Sequence, residues 1–393
     1  MKAVIAGGGI GGLAVAAGLH QRGWTVTVLE QTPEFSVVGS AISLWPNAFR
    51  ALDTVGVTAG LEGEPMGAAG GIRDWRGGWV VRMNQGSALA HTAKALVAHR
   101  HALRTALLAH VPEEARMAGV RVLGVRSEGE RAIVEYDGGE LAADLVVGAD
   151  GVRSAVRMSL WPRTATPRYV GNVAWRLIMP RPKSLADAGA EVWAETWGPG
   201  AVFGMFPTAD GRVYCYGTGA VPPGQRSSDG ELTELRRRFG DWCEPIPTIL
   251  AEATEDQVLR HDIYEVPPLD TYVRGPVALL GDAAHAMPPY LGQGGCQALE
   301  DAATLSLAVE TQPDLATALR RYDELRRPRT QALARKSRMT GVVGHLSWAP
   351  ARVARNALMR LIPRSVLIKS LASPFSWRPE DGLVDVTPIR PAV

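Results

Sequence analysis

The first twelve residues constrain the fold more than any other stretch of the chain. A short apolar run, Ala3–Ala6, opens directly onto Gly7-Gly8-Gly9-Ile10-Gly11-Gly12. The run reads as a buried strand, and an apolar stretch from about Gly11 to Gln21 reads as a helix. Gly23 stops that helix, and Trp24–Leu29 reads as a second strand. In such a βαβ unit each glycine has a mechanical use. Gly7 permits the tight turn, Gly9 lets the backbone approach a pyrophosphate, and Gly12 lets helix and strand pack closely. Gly11 lies in the same turn, where the helix amino end presents free N–H groups to an anion. Glu30 ends the second strand about twenty residues after Gly9, where a carboxylate accepts hydrogen bonds from ribose hydroxyls. The opening therefore predicts a parallel α/β sheet that binds a dinucleotide, without separating FAD from NAD.

With 393 residues the chain is long for one core and is expected to form about two subregions. It carries 42 basic and 40 acidic side chains, a net charge of +2, which gives no electrostatic case for nucleic acid. Cys215, Cys243 and Cys296 are scattered and odd in number, so they form neither a disulfide framework nor a metal-spaced cluster. A reducing, cytoplasmic setting fits them, and no metal is expected. The amino-terminal stretch is too interrupted by glycine to read as a signal peptide. No apolar run reaches the ~18 residues of a membrane span.

Further along, Asn47–Val55 reads as a helix and Gly70–Met83 as strands leaving the first domain. Val97–His110 reads as a helix from the spacing of Leu103, Leu107 and Leu108. Arg121–Val125 and Ala132–Tyr136 read as paired strands and Leu145–Gly148 as a buried one. From about Arg168 to Arg274 the texture changes to runs such as VAWRLIM, EVWAETW, AVFGMFP and RVYCYGTG, separated by Gly/Pro turns. These predict a mostly antiparallel sheet. Buried-strand texture returns at Val277–Leu280, then a long helix to about Glu310. The fold expected is α/β: a discontinuous Rossmann-like domain (1–75, 96–165 and 275–340) with an excursion at 76–95. A substrate-binding sheet domain is inserted at 166–274, and a helical tail follows at 341–393.

Two more motifs lie at strand ends. In LVVGADGVRSAVR, Asp150 stands at the carboxyl edge of a strand, where ligands bind in open α/β sheets. An aspartate that caps the following helix is the competing reading. In LLGDAAHAMPPYLGQGGCQALEDA, a strand ends at Gly281-Asp282, whose carboxylate is suited to a polyol hydroxyl. Pro288-Pro289 stiffens the connection, and Gly292, Gly294, Gly295 and Cys296 lead into a helix. Its amino end is a seat for negative charge.

Together, in this order and spacing, the three motifs resemble the para-hydroxybenzoate-hydroxylase-type flavoprotein monooxygenases. The resemblance covers most of the chain to about residue 330. It is nearest the branch with urate, salicylate and 3-hydroxybenzoate hydroxylases and zeaxanthin-type epoxidases. Gly39–Val57 is similar to the family's flavin-side segment, VAHRHALRTALL to its arginine-bearing helix with Arg100 as the FAD contact, and Val173–Arg176 also recurs. Gln31 departs from the usual basic residue, Ala41 from a common glycine, and Tyr290 from a frequent Asn or Asp. The WxWxIP segment of the flavin halogenases is absent.

The resemblance implies a Rossmann-like FAD-binding domain holding non-covalent FAD, with NADH or NADPH visiting as transient reductant. It implies oxygen transfer from O₂ through a flavin C4a-hydroperoxide to a small aromatic or heteroaromatic substrate, in a monomer or homodimer. The alternatives are epoxidation of an isoprenoid or polyene, and a flavin oxidase or reductase without oxygen transfer. The substrate is expected between the inserted sheet and the flavin, near Pro288. Arg176, Tyr216, Phe203, Met205 and Tyr290 are the candidate contacts, each with a packing or ion-pair alternative. His285 is assigned to the structure of its loop rather than to catalysis. The stretch Arg352–Lys369 alternates basic and apolar residues and reads as a terminal helix with its arginines in water; binding to a membrane surface is the competing reading.

Overall fold

The computed structural model of the chain describes residues 1–35, 41–57, 70–83, 96–162, 166–183, 185, 194–208, 210–363, 366 and 372–383. It opens as read: β1 (Lys2–Ala6), α1 (Ile10–Gln21), then β2 (Thr25–Glu30) parallel to β1. Then come β3 (Ala41–Leu44) and α2 (Pro46–Thr54), the hairpin β4 (Gly70–Asp74) and β5 (Trp79–Met83), β6 (Leu96–His99) and α3 (Arg100–Leu108). The stretch read as one helix over Val97–His110 is thus corrected. Its first residues pair antiparallel with β3, Ala41 opposite His99. A short buried apolar run fits strand or helix equally by periodicity, and here the partner strand decides.

β7 (Arg116–Ala118) precedes a small meander, β8 (Val122–Glu128), β9 (Arg131–Tyr136) and β10 (Gly139–Ala143). β11 (Leu145–Gly148) and α4 (Ala155–Leu160) follow. Much later, β17 (Val273–Arg274) and β18 (Val277–Leu279) complete the first sheet, in the order β17-β18-β11-β1-β2-β7. Its strands are parallel except the edge strand β17. The central strands are buried on both faces, which is why they read as continuous apolar runs.

Between these parts lies a second sheet. Its strands are β12 (Arg168–Pro180), β13 (Ala194–Trp197), β14 (Ala201–Pro207), β15 (Arg212–Ala220) and β16 (Leu259–Glu265), in the order β16-β12-β15-β14-β13-β4-β5. Its pairs are antiparallel except β13 with β4. The expected boundary at residue 75 assigns β4 to the first nucleotide-binding segment; its ladder with β13 makes it part of this sheet instead. Residues 84–95 of the expected excursion, Gly39 and Ser40 of the flavin-side segment, and 191–193 of EVWAETW lie outside the described residues.

One face of the second sheet is covered by α5 (Glu231–Phe239) and α6 (Ile246–Glu252), which the strand reading of 166–274 did not foresee. Val173, Trp175, Phe203, Met205 and Cys215 pack there with Leu235, Phe239 and Ile249. Side chains alternate along a strand, so Ala174, Arg176, Thr218, Tyr216 and Glu195 take the other face. After β18 come α7 (Asp282–His285), α8 (Gly294–Thr311), α9 (Leu315–Gly344) and α10 (Ala349–Leu361). Asp314 caps α9 by accepting from the Thr317 N–H at 2.7 Å.

Candidate active site

The carboxyl ends of β1, β2, β11 and β18 meet at one cleft, where open parallel sheets bind ligands. The glycines of the first turn divide by what surrounds them. A Cβ on Gly12 would lie 1.9 Å from the Gly7 carbonyl oxygen, and one on Gly7 would lie 2.4 Å from that of Ala149. A Cβ on Gly9 would meet nothing within 4 Å. Gly7 and Gly12 therefore serve the protein's own packing, whereas Gly9 opens on the cleft. Gly9 is also the amino cap of α1 and carries no side-chain cap, so the helix end is left for an anion.

Glu30 sits beside this turn. Its Oε2 accepts from the Gly8 N–H at 2.9 Å and its Oε1 from the Thr32 N–H at 2.9 Å. Arg104 Nη2 stands 4.0 Å away. Arg104 follows Arg100 by one helical turn on α3, an i,i+4 spacing visible in the sequence but not used there. Arg100 begins α3, next to the β3–β6 pair that carries Ala41. Desolvation holds the Arg100 guanidinium below the ordinary arginine value, with Asp282 attracting its charge and Arg176 repelling it. These three groups from separate segments thus act on one space.

Asp150 follows β11, and its Oδ2 accepts from the Val156 N–H at 3.1 Å at the start of α4. The cap of α4 is nevertheless Ser154, whose hydroxyl accepts from the Arg157 N–H at 2.9 Å; Asp150 adds a second acceptor to the same helix end. Burial holds its carboxyl above the usual range, opposed by hydrogen bonds from Ser154 and Val156. The sequence reading overlooked Arg157. It is fully buried, donates to the Ala283 carbonyl at 2.7 Å and to the Val152 carbonyl, and so ties the second motif to the third.

In the third motif Gly281 takes φ +57°, a left-handed conformation that favours glycine, and Asp282 then stands exposed at the cleft. Gly292 takes φ +61° before α8. A Cβ on Gly294 would meet nothing within 4 Å, whereas one on Gly295 would meet Ile42. No side chain caps the amino end of α8. Cys296 turns its thiol away, toward the Ser43 carbonyl at 3.4 Å, so its backbone is what remains for a ligand. Three open features therefore line the cleft: an uncapped helix end at Gly9, another at Gly294, and the Asp282 carboxylate between them. They fit a dinucleotide such as FAD, with Glu30 at its ribose and Gly9 at its pyrophosphate. Arg100, Asp282 and the α8 amino end would hold the remainder.

A buried charge network fixes these loops from behind. Asp301 accepts from the Gly281 N–H at 2.9 Å, from His285 Nε2 at 2.6 Å and from Arg326 Nε at 2.6 Å. Glu300 takes Arg326, Arg329 and Asn47. Burial pushes the Asp301 carboxyl up, but the charges of His285 and Arg326 overcome it and hold it at about 2. His285 is thus engaged in the loop's framework, as its sequence context implied.

Across the cleft stands the other face of the second sheet, covered at one end by His345 and Arg355. Arg176 lies opposite Tyr216, and Tyr216 opposite Gly204, which in turn is opposite Glu195. A Cβ on Gly204 would fall 2.3 Å from the Tyr216 ring, so glycine there lets the ring cross the strand. The Tyr216 hydroxyl then donates to Glu195 Oε1, and Trp197 Nε1 donates to the other oxygen at 3.1 Å. Burial holds both acids above their usual ranges, and Glu195 holds Tyr216 up further. Arg176 is hydrogen-bonded to Tyr214 and, among the described residues, forms no carboxylate ion pair. Tyr290 accepts from Asn172 Nδ2 at 3.2 Å and packs edge-on against His345, whose Nε2 lies 2.9 Å from the Thr218 hydroxyl. The Pro288 carbonyl accepts from Ser337 at 2.6 Å, anchoring the proline loop on α9. Phe203 and Met205, read as chamber-lining, are corrected. Both are fully buried among α5 and α6, because strand alternation sends them to the opposite face.

Comparison with known proteins agrees with this arrangement. The FAD binding domain family model matches residues 1–337. The chain is 35% identical to the aurachin C monooxygenase/isomerase of Stigmatella aurantiaca, covering 92% of this chain and 94% of that one. It is 32% identical to an FAD-dependent urate hydroxylase of Klebsiella pneumoniae, covering 88% and 91%. The crystal structure of Klebsiella pneumoniae HpxO with FAD and uric acid superposes with a TM-score of 0.86 at 29% identity, covering 95% and 96%. The chain belongs to the FAD binding domain family and is an FAD-dependent monooxygenase.

Proposed function

We propose that the enzyme hydroxylates a small aromatic or heteroaromatic compound that carries an O–H or N–H group, held between the Tyr216 face of the second sheet and the flavin. Bound FAD, reduced by NADH or NADPH, supplies the activation of O₂. The protein's part is to orient the substrate, raise its electron density and exclude water.

One observation carries the reading: the Tyr216 proton is committed to Glu195. The phenol oxygen therefore offers its lone pairs to the cleft and acts as an acceptor. A substrate hydroxyl or ring N–H donating to it gains electron density on its ring. If the substrate proton moves to Tyr216, the tyrosine proton moves to Glu195, and charge is conserved along the line. Arg176, adjacent in register to Tyr216, then faces the developing substrate anion. Tyr290 closes the side nearest the proline loop. The urate hydroxylase relative and the uric acid complex support this reading, since urate is a heterocycle with ring N–H donors.

The test is a screen of phenols and N-heterocycles for stimulated NAD(P)H oxidation matched by hydroxylated product. Compounds with the donor blocked by methylation are expected to stimulate little. Epoxide formed from a polyene, or stoichiometric H₂O₂ with no oxygenated product, contradicts the proposal.

A further inference from the structure

Helix α10 is turned inside out relative to an ordinary surface helix. Pro350, Val353, Ala354, Ala357, Leu358 and Leu361 recur every three or four positions and form one stripe along it, and all are exposed. Val353 is 69%, Leu358 65% and Leu361 77% exposed. Trp348, just before the helix, is 70% exposed, and Met339 and Val342 stand exposed on the last turns of α9. The polar side faces the protein instead. Arg355 is buried, donates to the Val343 and Gly344 carbonyls, and lies 5.0 Å over the Trp197 ring. Arg360 reaches the Trp79 carbonyl of β5 and stands 3.8 Å from Asp74. The reading that put the arginines in water is therefore corrected at Arg355, whereas Arg360 stays exposed and residues 364–365 and 367–369 lie outside the described residues; the helix docks through Arg355 and leaves its apolar side bare. Contiguous bare apolar surface of this kind marks an interaction site.

Charge indicates the occupant. Between Glu324 and Glu380 the chain has no aspartate or glutamate. Arg326, Arg327, Arg329 and Arg338 of that stretch are paired with carboxylates outside it, so the cations beside the stripe are what count. Arg335 is exposed one turn before Met339, and Arg360 flanks the stripe on α10. A two-fold contact with a second copy would bring the same arginines near one another. Anionic lipid headgroups would instead complement them, with the stripe entering the acyl boundary. No helix among the described residues is long and apolar enough to cross a membrane, so the geometry is that of a helix lying in the interface. We propose that α10 docks the enzyme on an anionic lipid surface. The cleft lies close by along the chain, since His345, between α9 and α10, contacts both Thr218 and Tyr290. The inference does not depend on the substrate proposed above.

The experiment is vesicle flotation of the FAD-loaded enzyme, with phosphatidylcholine alone and with phosphatidylcholine mixed with phosphatidylglycerol. The wild type is expected to float with the anionic vesicles, less at high salt, and to remain behind with phosphatidylcholine alone. Val353→Glu combined with Leu358→Glu is expected to cut vesicle binding by about ten-fold or more while flavin content and turnover in solution stay unchanged. Wild type that stays behind with both vesicles overturns the proposal. So does a dimer, seen by sedimentation, that the double substitution converts to monomer.

Discussion

Gly9 and Gly12 share a motif but differ in what a methyl group would meet. Gly12→Ala presses a Cβ onto the Gly7 carbonyl and is expected to destabilise the fold by at least the ~1–3 kcal/mol of an overpacked core. Gly9→Ala has open space around it and is expected to fold normally yet lose flavin, as is Asp282→Ala, whose carboxylate stands exposed at the cleft. Thermal melting and the flavin absorbance of the purified variants separate the two outcomes. Glu30→Ala should lose flavin more mildly. At Tyr216, replacement by Phe removes the acceptor and is expected to lower kcat/KM about 100-fold with flavin content unchanged. Glu195 must be ionised to hold the tyrosine proton, and its carboxyl lies above the usual range. Activity should therefore fall with acid at a pH above the ordinary ~4.3 of a glutamate. Glu195→Gln should abolish that limb of the kcat/KM profile; a limb that persists assigns it to another group.

At the scale of elements, the α8–α9 pair fixes the Gly281 loop and the Pro288 loop, which would face the flavin. Asp301 and Arg326 are its centre, and Asp301 has a folded pKa of about 2. A depressed carboxyl contributes stability that is complete above the unfolded value of ~3.9 and is lost as pH falls toward the folded value. Asp301→Asn should flatten the stability curve between pH 4 and 2 and, by leaving Arg326 and His285 without their partner, cost about 3–5 kcal/mol at neutral pH. Urea unfolding across that range measures both effects. This network was hidden in the sequence because Arg326 lies 25 residues beyond Asp301, on another helix, and only the fold brings it to the Glu300-Asp301 pair. The parallel strands and the glycine turns were legible, since their patterns are local. Leu96–His99 was misread because only its partner β3 makes it a strand. Helices α5 and α6 were missed although Leu232, Leu235 and Phe239 have helical spacing, since neighbouring strands dominated the texture.

At the scale of the whole molecule, the second sheet has one face for packing and one for chemistry. Its apolar strands carry hydrophobic residues on both faces, so composition alone could not tell Phe203 from Tyr216; strand register does, by sending Phe203 under α5 and α6. The family was legible because its three motifs lie at strand ends of one sheet and recur in fixed order. The chamber residues were harder to read, since Glu195 acquires meaning only when β13, β14 and β15 align it with Tyr216. The central claim is that oxygen reaches an organic substrate held over that face. Turnover under ¹⁸O₂, with a substrate found by the screen, measures it directly. The account predicts one labelled oxygen atom in the product for each NAD(P)H consumed. Unlabelled product, with the label recovered in hydrogen peroxide, would contradict it.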